Sequence, residues 1–218
     1  GRWTAVSGGT LASAMAGKCL EMYYDFSSTN AYFAAFLVPD LCRRVGASLV
    51  WKPFYLGHAF RLRDHSVNRD HPPGKLEYLF RDHQRWSRRT GLPFNRPTTF
   101  PIKTSLALRG SVVMRAQGLE EAYIQAVMSA YWARDEDIAQ PRVLAQIVSQ
   151  LGADGDKFQT QADEPGPRDE VARVTNEGIA RNVFGAPMFF VGDEMFWGKD
   201  RLDFVEDLLR DTNDLDPP

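Results

Sequence analysis

The apolar positions of this 218-residue chain follow two periods, one typical of short buried strands and one of amphipathic helices. From residue 27 to Gly46, apolar residues recur at helical spacing, which predicts a helix that begins in a Ser/Thr/Asn cluster and breaks or kinks at Pro39. The dipeptide Gly192-Asp193 indicates a hairpin turn. Segments rich in aromatic and β-branched residues predict strands at 20–26, 48–54, 187–191 and 194–197.

A long stretch without strand character separates the first two strands from the last two. Glycines and prolines divide it into segments with helical periodicity at 75–90, 104–117, 119–131, 140–151 and 153–163. Residues 164–170 predict a turn that leads into a helix ending near Asn182, and residues 199–210 predict a closing amphipathic helix. The order β-α-β, helical block, α-β-β-α predicts an α/β protein with a thioredoxin-like fold interrupted by a large helical insertion.

This order also divides the chain. Residues 20–56 and 168–212 are predicted to form the thioredoxin-like domain, and residues 57–167 the helical insertion domain. Residues 1–19 are predicted to be an N-terminal tail, either added to the native chain or disordered, because they begin with small polar residues and show no periodicity. They lack the charged start and apolar centre of a signal peptide. No apolar run is long enough to span a membrane, so no membrane association is expected.

Charge and cysteine content narrow the function classes. The net charge of −2 argues against a nucleic-acid partner, although residues 61–109 carry 11 Lys and Arg against 4 Asp and Glu. This basic segment is either a solvated helical face or a pocket wall that attracts small anions. Cys19 and Cys42 form no Cys-x-x-Cys motif and indicate a reducing, cytoplasmic location. The four histidines lack metal-binding spacing, so no metal site is predicted.

A strand-to-helix turn lies in YYDFSSTNAYF, residues 23–33. Thioredoxin-like proteins carry reactive cysteines at this turn, because free N–H groups and the helix dipole stabilise a thiolate there. This chain has serines instead, so a thiol must come from a ligand, which suggests glutathione as cofactor. The hydroxyl of Ser28 can donate a hydrogen bond to that thiolate. The alternative is that Ser27, Ser28 and Thr29 only cap the helix.

A second candidate segment is FGAPMFFVGDEMFWGKDRLDF, residues 184–204. A cis peptide bond before Pro187 would expose the backbone of Ala186 to an extended peptide, whereas a trans proline would simply begin the strand. Asp200 can either cap the last helix or accept a hydrogen bond from the ammonium group of a ligand. Trp197 is expected in the core.

Four segments carry a family resemblance: DFSSTNAYF, WKPFYLG, PPGKLEYLFRDHQRWSRRTGLPF and GAPMFFVGDEMFWGKDRLDF. Together they resemble the 2-hydroxychromene-2-carboxylate isomerase family, bacterial relatives of kappa-class glutathione transferases in the DsbA-like thioredoxin superfamily. The likeness spans about residues 20–210, and its C-terminal motif is the most specific. It implies a glutathione-dependent homodimer of aromatic-hydrocarbon catabolism. Such an enzyme interconverts 2-hydroxychromene-2-carboxylate and trans-o-hydroxybenzylidenepyruvate, which are small anionic aromatic substrates.

The resemblance also implies roles for particular residues. Ser28 matches the serine that holds the sulfur of glutathione. Ala186, which precedes a cis Pro187, matches the residue whose backbone pairs with the cysteinyl unit. An aromatic-lined substrate pocket is expected as well, with candidates in Tyr32, Phe33, Phe54 and Trp197.

The remaining roles concern the two ends of glutathione. Asp200 matches the acid near the γ-glutamyl end, with Lys199 beside it where kappa-class relatives often have serine. Arg61 falls where a lysine commonly meets the glycyl carboxylate. Two departures from the family pattern are Thr29, which replaces a proline, and Lys103, which replaces an asparagine near the substrate mouth.

Two other functions remain open at this point. A kappa-class-like glutathione transferase or peroxidase would act on electrophiles faster than it isomerises. A non-enzymatic thioredoxin-fold binding module would bind a peptide or protein and have no affinity for glutathione. The absence of a Cys-x-x-Cys motif argues against a dithiol oxidoreductase.

Overall fold

A mixed four-stranded sheet forms the centre of the structure, a computed structural model that describes residues 18–211. The strand order is β2-β1-β3-β4. β1 pairs in parallel with β2 and antiparallel with β3, and β3 forms the predicted hairpin with β4. Residues 1–17 of the predicted tail lie outside the described residues. The strands are β1 (Cys19–Tyr24), β2 (Ser48–Pro53), β3 (Met188–Val191) and β4 (Glu194–Trp197).

The helices follow the predicted order, and apart from the start of α9 their ends shift by at most three residues. They are α1 (Thr29–Val45), α2 (Leu56–Leu62), α3 (Val67–Asp70), α4 (Pro73–Thr90), α5 (Ser105–Arg115), α6 (Glu120–Trp132), α7 (Pro141–Gln150), α8 (Gly155–Ala162), α9 (Pro165–Ala180) and α10 (Leu202–Asp211). The short helices α2 and α3 were not predicted. The predicted turn at 164–170 is wrong, because α9 already begins at Pro165, a position where proline's missing N–H costs no helical hydrogen bond.

Of the two outcomes predicted at Pro39, a break is wrong, since α1 continues through it to Val45 and ends at Gly46 in the left-handed conformation, and a kink stays a prediction. A proline inside a helix leaves the carbonyl four residues earlier without its backbone donor. Here that carbonyl belongs to Ala35, and the side-chain amide of Gln125 in α6 donates to it at 3.0 Å. A residue from the helical block therefore replaces the missing hydrogen bond.

The helical block and the sheet share a large hydrophobic core, and a second, smaller cluster joins residues of β1, β3 and α2. Members of the large core include Leu20 of β1 together with Trp132 of α6 and Phe158 of α8. The indole N–H of Trp132 donates to the carbonyl of Phe26 at 2.8 Å, in the turn between β1 and α1. The block therefore helps to fix the turn that carries the candidate site, and the division into two domains stays a prediction.

Gly110 in α5 lies against Tyr123 and Phe158, and a Cβ atom at this position would overlap both side chains. Alanine is the better helix former by about 1 kcal/mol, but overpacking of a core costs roughly 1–3 kcal/mol. We therefore expect Gly110→Ala to lower the free energy of unfolding, measured by urea denaturation. Gly166→Ala in α9 is the matched control, because a Cβ there meets no atom within 4 Å. Equal effects of the two substitutions would contradict the prediction.

Candidate functional site

In the turn between β1 and α1, the side-chain hydroxyl of Ser28 takes part in two hydrogen bonds. Its backbone is extended, with φ −101° and ψ 120°, and its Oγ accepts the N–H of Ala31 at 3.2 Å, so Ser28 is the N-cap of α1. The same hydroxyl donates to the carbonyl oxygen of Ala186 at 2.7 Å. Ser28 can therefore cap α1 and also belong to a binding site. Its hydrogen bond to Ala186 joins the two candidate segments, residues 23–33 and 184–204.

The Ala186–Pro187 peptide bond is cis. The Pro187 carbonyl accepts the N–H of Gly198 at 3.0 Å, which joins the loop before β3 to the residue that follows β4. Gly198 has φ 96°, a conformation that favours glycine. The backbone around Ala186 is thus held from both sides, by Ser28 and by the β3–β4 hairpin.

Asp25 is a buried acid that the sequence analysis did not single out. Its carboxylate accepts the N–H of Ser27 at 3.2 Å and the N–H of Leu56, the first residue of α2, at 2.9 Å. The hydroxyl of Thr104 also binds it. Burial raises the pKa of Asp25 to about 6, although these hydrogen bonds oppose the shift. The carboxylate of Asp25 therefore connects the turn that carries Ser28 with the start of α2 and with Thr104, the residue before α5.

Lys199 and Asp200 lie in a short 3₁₀ turn, Lys199–Arg201, that precedes α10. Lys199 is buried, and its ammonium donates to Oδ1 of Asn30 at 2.8 Å and lies 4.2 Å from the centre of the Trp86 ring. The Asp200 side chain is 59% exposed. Asp200 is the middle residue of this turn, which Gly198 precedes. Both alternatives for Asp200, capping of the last helix and binding of a ligand ammonium group, stay predictions.

Arg61 lies in α2, is exposed, and stacks its guanidinium 5.5 Å from the centre of the Tyr55 ring. No carboxylate in residues 18–211 lies at ion-pair distance from it. Among the hydrogen bonds of the described residues, none joins Arg61 to Ser28 or Ala186. Lys103 is exposed and directly precedes Thr104.

Three of the four aromatic candidates are core residues: Tyr32, Phe33 and Phe54 are buried. Trp197 is 57% exposed, so the expectation that it belongs to the core is wrong. It lies on β4, one of the two edge strands of the sheet, and its ring packs edge-on against the exposed ring of Phe184 at a centroid distance of 5.1 Å. In the sequence, Phe184 lies close before Ala186, and Trp197 directly precedes Gly198.

The basic segment 61–109 centres on α4, where arginines pair with acids of the same helix. Arg81 binds Glu77 and Arg85 binds Asp82, and both arginines are largely exposed. This arrangement favours the interpretation as a solvated helical face for α4. At the end of the segment, Arg109 borders a cavity of about 420 Å³ beside the start of α2.

Cys19 and Cys42 are both free thiols. Cys42 is buried, and burial raises its pKa to about 11, so its thiol stays protonated at neutral pH. Neither cysteine lies in the turn that carries Ser28. Within residues 18–211, no helix is long and apolar enough to cross a membrane. The same span contains no group of three or more His, Cys, Asp or Glu side chains that could hold a metal ion.

The helix start at Ser28 and the facing cis-proline loop define a thioredoxin-like protein of the DsbA class. In agreement, the family model described as the DSBA-like thioredoxin domain matches residues 19–210. The 2-hydroxychromene-2-carboxylate isomerase of Sphingobium xenophagum is 30% identical over 196 residues, which cover 89% of this chain and 99% of that protein. A solved 2-hydroxychromene-2-carboxylate isomerase is 26% identical with a TM-score of 0.78, covering 91% of this chain and 100% of the other.

The chain therefore belongs to the DSBA-like thioredoxin domain family and, within it, to the 2-hydroxychromene-2-carboxylate isomerase family. It is an enzyme of the isomerase class, which argues against the non-enzymatic alternative. The cytosolic disulfide reductase DsbM of Pseudomonas aeruginosa, solved with GSH, is 18% identical with a TM-score of 0.61 and covers 90% of this chain and 97% of its own. At this identity the likeness concerns the fold alone.

Proposed function

We propose that the protein is a glutathione-dependent cis-trans isomerase that interconverts 2-hydroxychromene-2-carboxylate and trans-o-hydroxybenzylidenepyruvate or a related aromatic catabolite. The observation that carries the proposal is the 2.7 Å hydrogen bond between the Ser28 hydroxyl and the Ala186 carbonyl. It pairs a donor at the positive end of α1 with a backbone acceptor on a cis-proline loop. The Ser28 hydroxyl could donate to the thiolate of a cysteinyl unit, and the Ala186 carbonyl could accept the amide N–H of the same unit.

The two groups now satisfy each other, so a ligand must replace both partners. The cysteinyl N–H would donate to the Ala186 carbonyl, which frees the Ser28 hydroxyl to donate to the sulfur. One hydrogen bond would thus be exchanged for two, and no buried polar group would lose its partner. The donor set of the site therefore fits glutathione.

The other proposed contacts lie on either side of this pair. The exposed carboxylate of Asp200 can bind the γ-glutamyl ammonium group, because its nearest cation is Arg201 at 3.9 Å. Lys199 remains part of the proposed site through its place in the same turn, although its ammonium binds Asn30. Arg61 has a guanidinium without an acid partner in the described chain and suits the glycyl carboxylate.

When bound, glutathione would supply a thiolate for reversible addition to the conjugated double bond of the substrate. The Ser28 hydroxyl would hold that sulfur as its charged form. A hydrogen bond to a charged group contributes roughly 1.5–3 kcal/mol, which would lower the pKa of the thiol by roughly one to two units. The exposed rings of Trp197 and Phe184 are proposed to contact the aromatic ring of the substrate, and Lys103 to attract its carboxylate.

Calorimetry and a turnover assay test the proposal. We expect glutathione and S-methylglutathione to bind, and isomerisation to require glutathione, because the methylated form lacks the thiol. Full turnover without any thiol would contradict the proposal. Faster conjugation of a chlorinated dinitrobenzene than isomerisation would favour the transferase alternative. The homodimeric state and the cytoplasmic location stay predictions.

A further inference from the structure

Lys199 carries a buried ammonium group whose hydrogen-bond acceptor is neutral. The residue is 6% exposed. Its Nζ binds Oδ1 of Asn30 at 2.8 Å and lies over the rings of Trp86, at 4.2 Å, and Phe33, at 5.8 Å. In the part of the chain that the structure describes, no carboxylate lies at ion-pair distance from this ammonium.

Such a group is costly to bury, since an uncompensated charge loses its hydration. The hydrogen bond to the amide oxygen of Asn30 and the contact with the Trp86 ring recover only part of the lost hydration free energy. A methionine of similar length would fill the same space without the cost. Packing therefore gives no reason for a positive charge at this position.

The groups around Lys199 leave the charge largely uncancelled. From α4, His83 is buried with an Nδ1 that lacks a hydrogen-bond partner, and burial, followed by the charge of Lys199, lowers its pKa to about 4. His83 is thus neutral at physiological pH. Burial also lowers the pKa of Lys199 itself, and the nearby acids Asp200, in its own turn, and Asp82, on α4, oppose this shift. From α1, the facing group is the neutral Asn30.

The hydrogen bond to Asn30 places the positive charge of Lys199 beside the N-terminus of α1. Asn30 is the second residue of α1, directly after the turn in which Ser28 caps the helix. The first turn of a helix already carries about half a positive charge from its free N–H groups. The ammonium of Lys199 adds a full charge beside this turn.

We propose that Lys199 is a positioning residue that holds a buried positive charge beside the N-terminus of α1 and, together with the Ser28 hydroxyl, favours the thiolate form of bound glutathione. The inference rests on the proposed function and deepens it. It also changes the role of Lys199, which would act on the sulfur through the field of its charge rather than bind the γ-glutamyl end through its ammonium.

The test is a pH titration of the thiolate absorbance of glutathione bound to the wild type, K199M and N30D. We expect K199M to raise the pKa of the bound thiol by about one unit, because the charge is lost. N30D keeps the lysine but places a carboxylate against it, so it should raise the pKa in the same direction even if K199M folds poorly. K75M, which removes an exposed lysine at the start of α4, is the control and should leave the titration unchanged.

The outcomes separate the two proposals. If wild type, K199M and N30D all bind glutathione and show the same thiol pKa, this inference is wrong and the proposed function stands. If the wild type binds no glutathione in calorimetry, the proposed function is wrong, and this inference falls with it. A shift in K75M equal to that in K199M would show a general effect of charge and would also overturn the inference.

Discussion

Replacing Ser28 with alanine is expected to lower glutathione-dependent turnover at neutral pH roughly 10- to 100-fold. The substitution removes a hydrogen bond to a charged sulfur, which contributes roughly 1.5–3 kcal/mol, and each 1.4 kcal/mol corresponds to about a factor of ten. Because the pKa of the bound thiol rises, the loss should shrink as the pH of the assay rises above that pKa. The measurement is kcat and KM as a function of pH.

The capping role of Ser28 requires a second variant. S28A also removes the acceptor for the Ala31 N–H, which costs about 1 kcal/mol of stability. S28D keeps an acceptor for that N–H but offers the thiolate no donor and adds a negative charge. Like S28A, S28D loses the hydrogen bond to the Ala186 carbonyl, but it keeps an acceptor at the helix cap. We expect S28D to lose turnover although this cap is kept.

A remote helix cap provides the matched control. The Asp154 carboxylate caps α8 by accepting the N–H groups of Asp156 and Lys157 at 3.1 and 3.2 Å. D154A should therefore lose about 1 kcal/mol of stability without loss of turnover. An active S28D, or a D154A variant as impaired in turnover as S28A, would show that Ser28 acts through helix stability alone.

The fold could be predicted because its signals are local. Strand composition, helical periodicity and the hairpin turn each lie within a few residues, and the resulting order of elements matches one fold. Pro39 shows where this reasoning stops. Its effect on α1 depends on Gln125, a side chain that is distant in sequence and donates to the orphaned carbonyl of Ala35. Trp197 shows the same limit, because its exposure follows from the position of β4 at the sheet edge.

The residues of the candidate site also differ in whether a local sequence signal marks them. Ser28 and Ala186 could be predicted because a turn and a proline mark them in the sequence, and the structure joins them by a hydrogen bond. The contact between Lys199 and Asn30 joins residues that are 169 positions apart and has no local signal. The ligand contacts of Ser28 and Ala186, like those of Asp200 and Arg61, remain predictions that glutathione binding will test.

Asp25 could not be singled out because an acid in a turn is ordinary, and only the tertiary structure buries it. Its pKa, raised by burial from 3.8 to about 6, means that the folded state binds a proton more tightly than the unfolded state does. Its contribution to stability is fully present below about pH 4 and is lost as the pH rises through about 6. The size of this change is about 3 kcal/mol, since one pKa unit corresponds to about 1.4 kcal/mol.

The variant D25N removes this titration. It also replaces one acceptor oxygen by an amide that cannot bind the N–H of Ser27 or Leu56, so its stability at a single pH is not informative. The informative quantity is the difference in free energy of unfolding between wild type and D25N, measured by urea denaturation from about pH 4 to about pH 7. We expect the wild type to lose stability relative to D25N across this range.

An exposed acid at the β3–β4 turn gives the control for this titration. D193N is a suitable control because the exposed Asp193 is remote in sequence from Asp25 and takes no part in the hydrogen bonds of Asp25. Parallel stability curves for wild type and D25N would mean that the carboxyl of Asp25 titrates alike in the folded and unfolded states. In that case its hydrogen bonds with the site turn and with the start of α2 would compensate fully for its burial.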